Sequence, residues 1–289
     1  MPNLSIDGLR LIQIYSLIPL FVTSQHPLTE GPHPSRVHAL FMPWNRVWKS
    51  TWSRRMTLGG RWFPLEILII GLICIAVPYF GSNNIANIRD FTFWTPVLSI
   101  DNEIPVVNWT IIPYAALYLF YPTTLILCPR HDRGRVEMIL AMQGLILATL
   151  FCTFFFLFFP TEIDMRDQID WDSMNGLETI LFEFIHTSDK PWNAWPSLHI
   201  VHSYLLARMM TVWVKREYID TIFAKPFLVL LWVEFTLLSI SILTTKQHFL
   251  FDLVTGLLTA MIFWKLIEYS LSIAERHSPS DIAKEVGWD

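Results

Sequence analysis

Six long apolar runs dominate this chain, at 64–80, 106–128, 136–159, 196–214, 222–245 and 248–273. Crossing the hydrocarbon core of a bilayer takes a helix of about 20 apolar residues. In lipid only helices and closed barrels satisfy their own backbone polar groups. The expected fold class is therefore all-α, a polytopic membrane protein built as a six-transmembrane-helix bundle. The first run is short for a span and must borrow from its flanks. Pro113 and Pro122 fall inside the second and are expected to bend it. Only 16% of the 289 residues are charged and 53% are hydrophobic, whereas a water-soluble domain carries about 25% charged residues. A net charge of -4 gives no reason to expect a nucleic-acid partner. Cys74, Cys128 and Cys152 all lie in apolar runs and read as small buried hydrophobes.

Three parts follow from this pattern: an N-terminal interfacial segment at 1–63, a membrane domain at 64–275 and a cytoplasmic tail at 276–289. Within the first, the apolar stretch 9–22 is broken by Gln13 and Pro19, and an interfacial helix is preferred there over a signal peptide. Trp44, Trp48 and Trp52 recur every four residues among Arg46, Lys49, Arg54 and Arg55. That spacing puts the indoles on one helical face ringed by cations, the pattern of a helix lying in the headgroup layer. Basic residues crowd the segment before the first span and recur after the second (Arg130, Arg133, Arg135) and after the fourth (Lys215, Arg216, Lys225). The alternate loops are poor in cations. By the positive-inside rule both termini are cytoplasmic, and the loops before runs four and six face the other side of a plasma or inner membrane.

Those two loops carry the chemistry. His248 and Asp252 are four residues apart and share a helical face. A carboxylate inside the membrane is expensive unless paired, which makes the pair a functional hypothesis by default. Asp252 accepting one imidazole proton would leave the other nitrogen free as a nucleophile. Gly256 would let a neighbouring helix approach closely. A purely structural His–Asp pair is the bland alternative. In Pro196-Ser197-Leu198-His199 the proline suits the first helical position, placing Ser197 and His199 in a first turn that attracts phosphate. His199 could then protonate a departing alkoxide.

Together these stretches make the chain resemble the type 2 phosphatidic acid phosphatase superfamily of integral-membrane lipid phosphatases and phosphotransferases. Pro196-Ser197-Leu198-His199 is similar to the family's Pro-Ser-Gly-His motif, in the variant seen in the branch that includes inositol phosphorylceramide synthases. His248 and Asp252 match its His and Asp spacing, and Ile104-Pro105 and Pro113-Tyr114 extend the likeness. The resemblance implies a six-helix bundle acting on an amphiphilic lipid phosphate, with no metal and no cofactor. His248 would be the nucleophile, Asp252 its orienting group and His199 the acid and then the base, the two imidazoles facing each other across the width of one phosphoryl group. Ser197, Lys246 and Arg166 would hold the phosphate. The cradle departs from the family pattern, since Ile242 stands where an arginine is expected, and Asp167 follows Arg166 where a proline is. Lys246 is expected to supply the missing charge.

The expected function is hydrolysis of a lipid phosphate monoester or pyrophosphate through a phosphohistidine. A phosphotransferase, and a non-catalytic membrane protein that kept the bundle, remain open beside it. A third reading has His199, His202 and His248 as haem or metal ligands. His202 is read as support for the site, and His186 and Lys190 as outer-loop residues, with a solvated face preferred over contact with substrate. The acidic set Glu162, Asp164, Asp167, Asp170 and Asp172 lacks the order of a calcium loop. Arg208 and Glu234 are expected to pair between neighbouring helices. The oligomeric state is left open by the sequence.

Overall fold

The computed structural model describes residues 41–288, so the stretch 9–22 and its expected interfacial helix lie outside the described residues. The described residues belong to one compact unit and contain no β-strand. Their helices are α1 (Asn45–Ser53), α2 (Trp62–Arg89), α3 (Ser99–Glu103), α4 (Ile111–Ala115), α5 (Leu117–Leu127), α6 (Asp132–Phe158), α7 (Gly176–Ser188), α8 (Leu198–Glu217), α9 (Ala224–Thr244), α10 (Leu250–Arg276) and α11 (Pro279–Glu285).

Five stretches are long and apolar enough to cross a membrane: Trp62–Arg89, Asn108–Leu127, Asp132–Phe158, Ala224–Thr244 and Leu250–Arg276. They mark the chain as membrane-embedded. The short first run does borrow from its flanks, since α2 extends over 28 residues to Arg89. The second run is interrupted between its two prolines, where α4 gives way to α5 at Ala116.

The sixth expected span folds as α8 but is too polar to qualify on composition, carrying His199, His202, Arg208, Lys215, Arg216 and Glu217. Its position gives the reason. α8 packs against α5, α6, α9 and α10 at once, and most of its residues from Leu198 to Val214 are buried. A helix enclosed by other helices is under no demand for a lipid-facing apolar surface.

One expectation at the periphery needs correction. α1 exists and gathers its indoles on one face, but that face is turned into the bundle and not toward a headgroup layer. Trp48 is fully buried, and its Nε1 donates to Gln143 Oε1 at 2.7 Å. Gln143 also accepts the Trp44 N–H at 2.7 Å, so one amide in an apolar helix recruits the indole face. The tail is likewise built in. Trp288 stacks on Trp52 with ring centroids 4.9 Å apart, and Lys49 Nζ donates to Gly287 O at 2.8 Å. At the same end, Glu137 receives Arg216 through two bonds of 2.6 and 2.8 Å and the Trp213 indole at 2.9 Å.

Arg208 and Glu234 do not pair. Arg208 lies 3.3 Å from Glu268 with its guanidinium 4.8 Å from the Trp264 ring centroid, both on α10. Glu234 Oε1 is buried without a partner. α8 packs against both α9, which carries Glu234, and α10, and Arg208 faces the second.

Candidate active site

The site forms where α8 and α10 begin side by side. A Cβ added at Gly256 would stand 2.8 Å from Ser197 O and 3.2 Å from Ile200 Cβ, so the missing side chain is what lets the helices meet. The Ser197 N–H donates to Asp252 O at 3.2 Å, locking the start of α8 to the first turn of α10.

Both motifs start differently from expectation. α8 begins at Leu198, so Pro196 precedes the helix and does not occupy its first position. Ser197 is the N-cap residue, yet its side chain caps nothing and its Oγ lies 3.2 Å from His248 Nε2. His248 in turn sits just before α10, whose cap residue is Phe249. Its Nδ1 reaches Asp252 Oδ2 at 3.3 Å, and the same oxygen accepts the Phe249 N–H at 2.9 Å. The carboxylate thus closes the helix end and orients the imidazole together.

The end of α9 places His248. Gln247 N–H and His248 N–H both donate to Ile242 O at 3.0 Å, and Lys246 N–H donates to Leu243 O at 3.1 Å. This is a Schellman ending, whose turning residue adopts left-handed backbone and is usually glycine. Here it is Lys246, at φ 56°, a conformation that costs a non-glycine residue about 1 kcal/mol or more. What holds it is its own ammonium, which donates to Asp101 O at 2.9 Å and Ile104 O at 2.7 Å. Lys246 is therefore a tether between the α9–α10 turn and α3, with no contact to either histidine, and its expected place in the phosphate cradle is corrected accordingly. Ile242 is fully buried, so no charge replaces the missing arginine there. Asp101, which no motif singled out, completes the turn by accepting the Leu250 N–H on Oδ1 at 2.7 Å.

His248 Nε2 lies 3.3 Å from His199 Nδ1, and His199 Nε2 lies 2.9 Å from the Tyr114 hydroxyl on α4. The two rings touch and are not held apart by the width of a phosphoryl group, because buried ring nitrogens satisfy each other. With Asp252 ionised, one proton assignment fits every contact. Tyr114 O–H donates to His199 Nε2, His199 Nδ1–H donates to His248 Nε2, and His248 Nδ1–H donates to Asp252. The nitrogen facing Ser197 is then the unprotonated one.

His202 stands apart from this chain. Its Nδ1 contacts the Tyr121 hydroxyl at 2.6 Å and its Nε2 the Thr149 hydroxyl at 2.9 Å, which leaves neither nitrogen for a metal shared with His199 and His248. Among the described residues no cluster of three His, Cys, Asp or Glu side chains could hold a metal ion. His186 is half-buried, and its Nε2 accepts from Gln247 Nε2 at 3.0 Å.

Arg166 stands within electrostatic reach of the site. Its charge acts on Asp189, Tyr114 and Tyr79 and on His199, and its Nε is buried with no partner. Burial pulls its pKa below the ordinary arginine value, and Asp189 opposes that pull. Asp189, unmarked by any motif, accepts from the Tyr79 hydroxyl at 2.6 Å and from Asn83 Nδ2 at 3.3 Å. Burial raises its pKa. Beside these groups lies a cavity of about 420 Å³ between α2, α5 and α8, with His199, His202, Tyr79 and Asp189 among otherwise largely apolar walls.

No family model, no curated protein and no solved structure matches this chain.

Proposed function

We propose that the chain is a membrane lipid phosphatase that hydrolyses a lipid phosphate monoester or pyrophosphate through a phosphohistidine. The observation that carries this reading is the contact of His248 Nε2 with His199 Nδ1 at 3.3 Å, beside an apolar cavity that His199 helps to line. An amphiphile would place its chain in that cavity and its phosphate against the two rings, replacing their mutual bonds.

In the first step His248 Nε2 forms a bond to phosphorus while the ester oxygen leaves. His199 gives its Nδ1 proton to that oxygen, releasing the lipid alcohol. Asp252 stabilises the positive charge on the phosphorylated imidazole. In the second step His199, now unprotonated at Nδ1, takes a proton from water, whose oxygen attacks phosphorus and releases inorganic phosphate. Ser197 and the unpaired Nε of Arg166 supply donors for equatorial oxygens, where phosphoryl transfer needs positive charge. The likeness of Pro196-Ser197-Leu198-His199 and His248-x-x-x-Asp252 to type 2 phosphatidic acid phosphatases supports the same roles. The same reading makes α8 the sixth span and puts both termini on the cytoplasmic side, as the loop charges favour.

The test is phosphate release by the purified protein in lipid nanodiscs, from phosphatidic acid and from a polyprenyl pyrophosphate, beside His248→Ala. Release by the wild type alone, with an acid-labile phosphoryl group trapped on the protein, is expected. Wild type and variant releasing the same trace amount would overturn the reading. A phosphodiester formed when alcohols are added would make it a phosphotransferase.

A further inference from the structure

The cavity beside His199 is largely apolar, and one wall carries a carboxylate whose hydrogen bonding is incomplete. Asp189 lies just past the end of α7 and lines the cavity together with Tyr79 and His199. The Tyr79 hydroxyl and Asn83 Nδ2 both donate to its Oδ1. Among the described residues nothing donates to Oδ2. Arg166 acts on Asp189 electrostatically without forming an ion pair with it. An ionised carboxylate accepts hydrogen bonds on both oxygens and donates none, and at a half-buried position on a largely apolar wall an acceptor without a donor is disfavoured. The wall therefore asks for a donor from whatever fills the cavity.

We infer that Asp189 Oδ2 is a specificity-determining acceptor for lipid phosphates that carry a hydrogen-bond donor, a hydroxyl, amine or amide N–H, within a few bonds of the phosphoester. This rests on the proposed phosphatase reading, in which the leaving alcohol lies against His199. A diacylated glycerol phosphate presents only ester oxygens at that distance. These are acceptors, and they would meet the carboxylate without a proton between them. A lipid with a free hydroxyl or N–H next to the scissile bond supplies that proton. Deleting a donor that a buried polar group expects is the kind of difference to which enzymes are most sensitive.

The experiment compares two substrates that differ by one oxygen: 1-oleoyl-lysophosphatidic acid, with a free hydroxyl beside the phosphoester, and the oleoyl ester of 3-hydroxypropyl phosphate, which lacks it. The ratio of their kcat/KM values is measured with wild-type protein and with Asp189→Leu, each in nanodiscs. Because the ratio is taken within one preparation, loss of folded protein cancels. A preference of about tenfold or more for the hydroxyl-bearing lipid is expected in the wild type, the size of one charge-assisted hydrogen bond. It should fall to about one in Asp189→Leu. A wild-type ratio near one would overturn the inference and leave the phosphatase reading standing. If neither lipid loses phosphate, the phosphatase reading fails for these substrates, and binding decides the inference. Thermal stabilisation of the wild type by 1-oleoylglycerol, but not by the oleoyl ester of 1,3-propanediol, would support it, and equal stabilisation would reject it.

Discussion

The Tyr114 hydroxyl stands 2.9 Å from His199 Nε2, on the opposite edge of the ring from His248. That contact decides where the His199 proton resides. A hydroxyl donating to Nε2 leaves the proton on Nδ1, the edge from which it can reach a leaving oxygen on a phosphoryl group held by His248. Tyr114→Phe keeps the ring and removes the donor. Turnover is expected to fall by about tenfold to a hundredfold, less than the roughly hundredfold to ten-thousandfold that general acid catalysis supplies, because Tyr114 orients the acid and does not itself transfer the proton, with KM little changed. Steady-state kinetics on folded variant checks this, and a KM rise without a change in kcat would contradict it.

Asp252 is bound to both His248 Nδ1 and the Phe249 N–H. Asp252→Asn keeps an oxygen for the backbone and can hold the helix end. That oxygen can accept the His248 Nδ1–H as well, since a single carboxylate oxygen takes both bonds in the wild type, but the amide brings no charge to stabilise the positive imidazole formed on phosphorylation. A loss in kcat of about tenfold to a hundredfold, with a thermal midpoint within a few degrees of wild type, is expected from exchanging a charge-assisted hydrogen bond for a neutral one. Circular dichroism melting beside turnover separates the two effects.

The spans were legible because lipid imposes a simple demand, a run of apolar residues of sufficient length, and α2, α6, α9 and α10 meet it. The pairing of His199 with His248 was also legible, since each motif sits at the start of a helix and Gly256 lets those helices meet. What failed concerned side-chain direction. Nothing in the spacing of Arg208 and Glu234 tells that α8 turns the arginine toward Glu268 and Trp264 on α10. An indole stripe with flanking cations suits a headgroup layer and a protein groove equally well, and only Gln143, about 95 residues from Trp48, decides between them. Asp189 and Asp101 act through partners on α2 and α10 far away in sequence, so no local pattern marks them.

Lys246 separates two explanations of one charge. If its ammonium served substrate phosphate, Lys246→Gly would raise KM strongly. The bonds to Asp101 O and Ile104 O predict something else. Glycine suits the left-handed turn better than lysine does, but the tether to α3 is lost. Stability is expected to fall by about 1–3 kcal/mol, the cost of unsatisfied buried carbonyls less the relief of the turn, while KM stays within about twofold. Denaturant melts and kinetics on the same preparation make the comparison.

Gly256 holds the two helix starts together, so its replacement should injure chemistry and stability at once. The Cβ of Gly256→Ala would meet the Ser197 carbonyl at 2.8 Å, and backbone cannot rotate away as a side chain can. The start of α8 must shift, carrying Ser197 and His199 from His248. Overpacking of this kind costs about 1–3 kcal/mol, and a displacement of about 1 Å can cost a hundredfold in rate. A variant of full activity with unchanged melting would show that the contact is not the one that sets the site.

His186 gives the fold a pH dependence whose sign can be worked out. Burial, with Arg166 adding to it, lowers its pKa from 6.5 to about 4, so the folded protein holds the ring neutral where the unfolded chain would protonate it. Between those two values the unfolded state binds more protons, and stability therefore rises with pH through that window and levels off above it. Acidification from pH 7 to pH 5 is thus expected to destabilise the wild type. His186→Gln has no proton to take up and should lose less over the same interval. Thermal midpoints of both proteins across that range test it: the midpoint of the variant minus that of the wild type should grow as pH falls. A difference that stays constant would mean that His186 ionises in the folded protein as readily as in the unfolded chain.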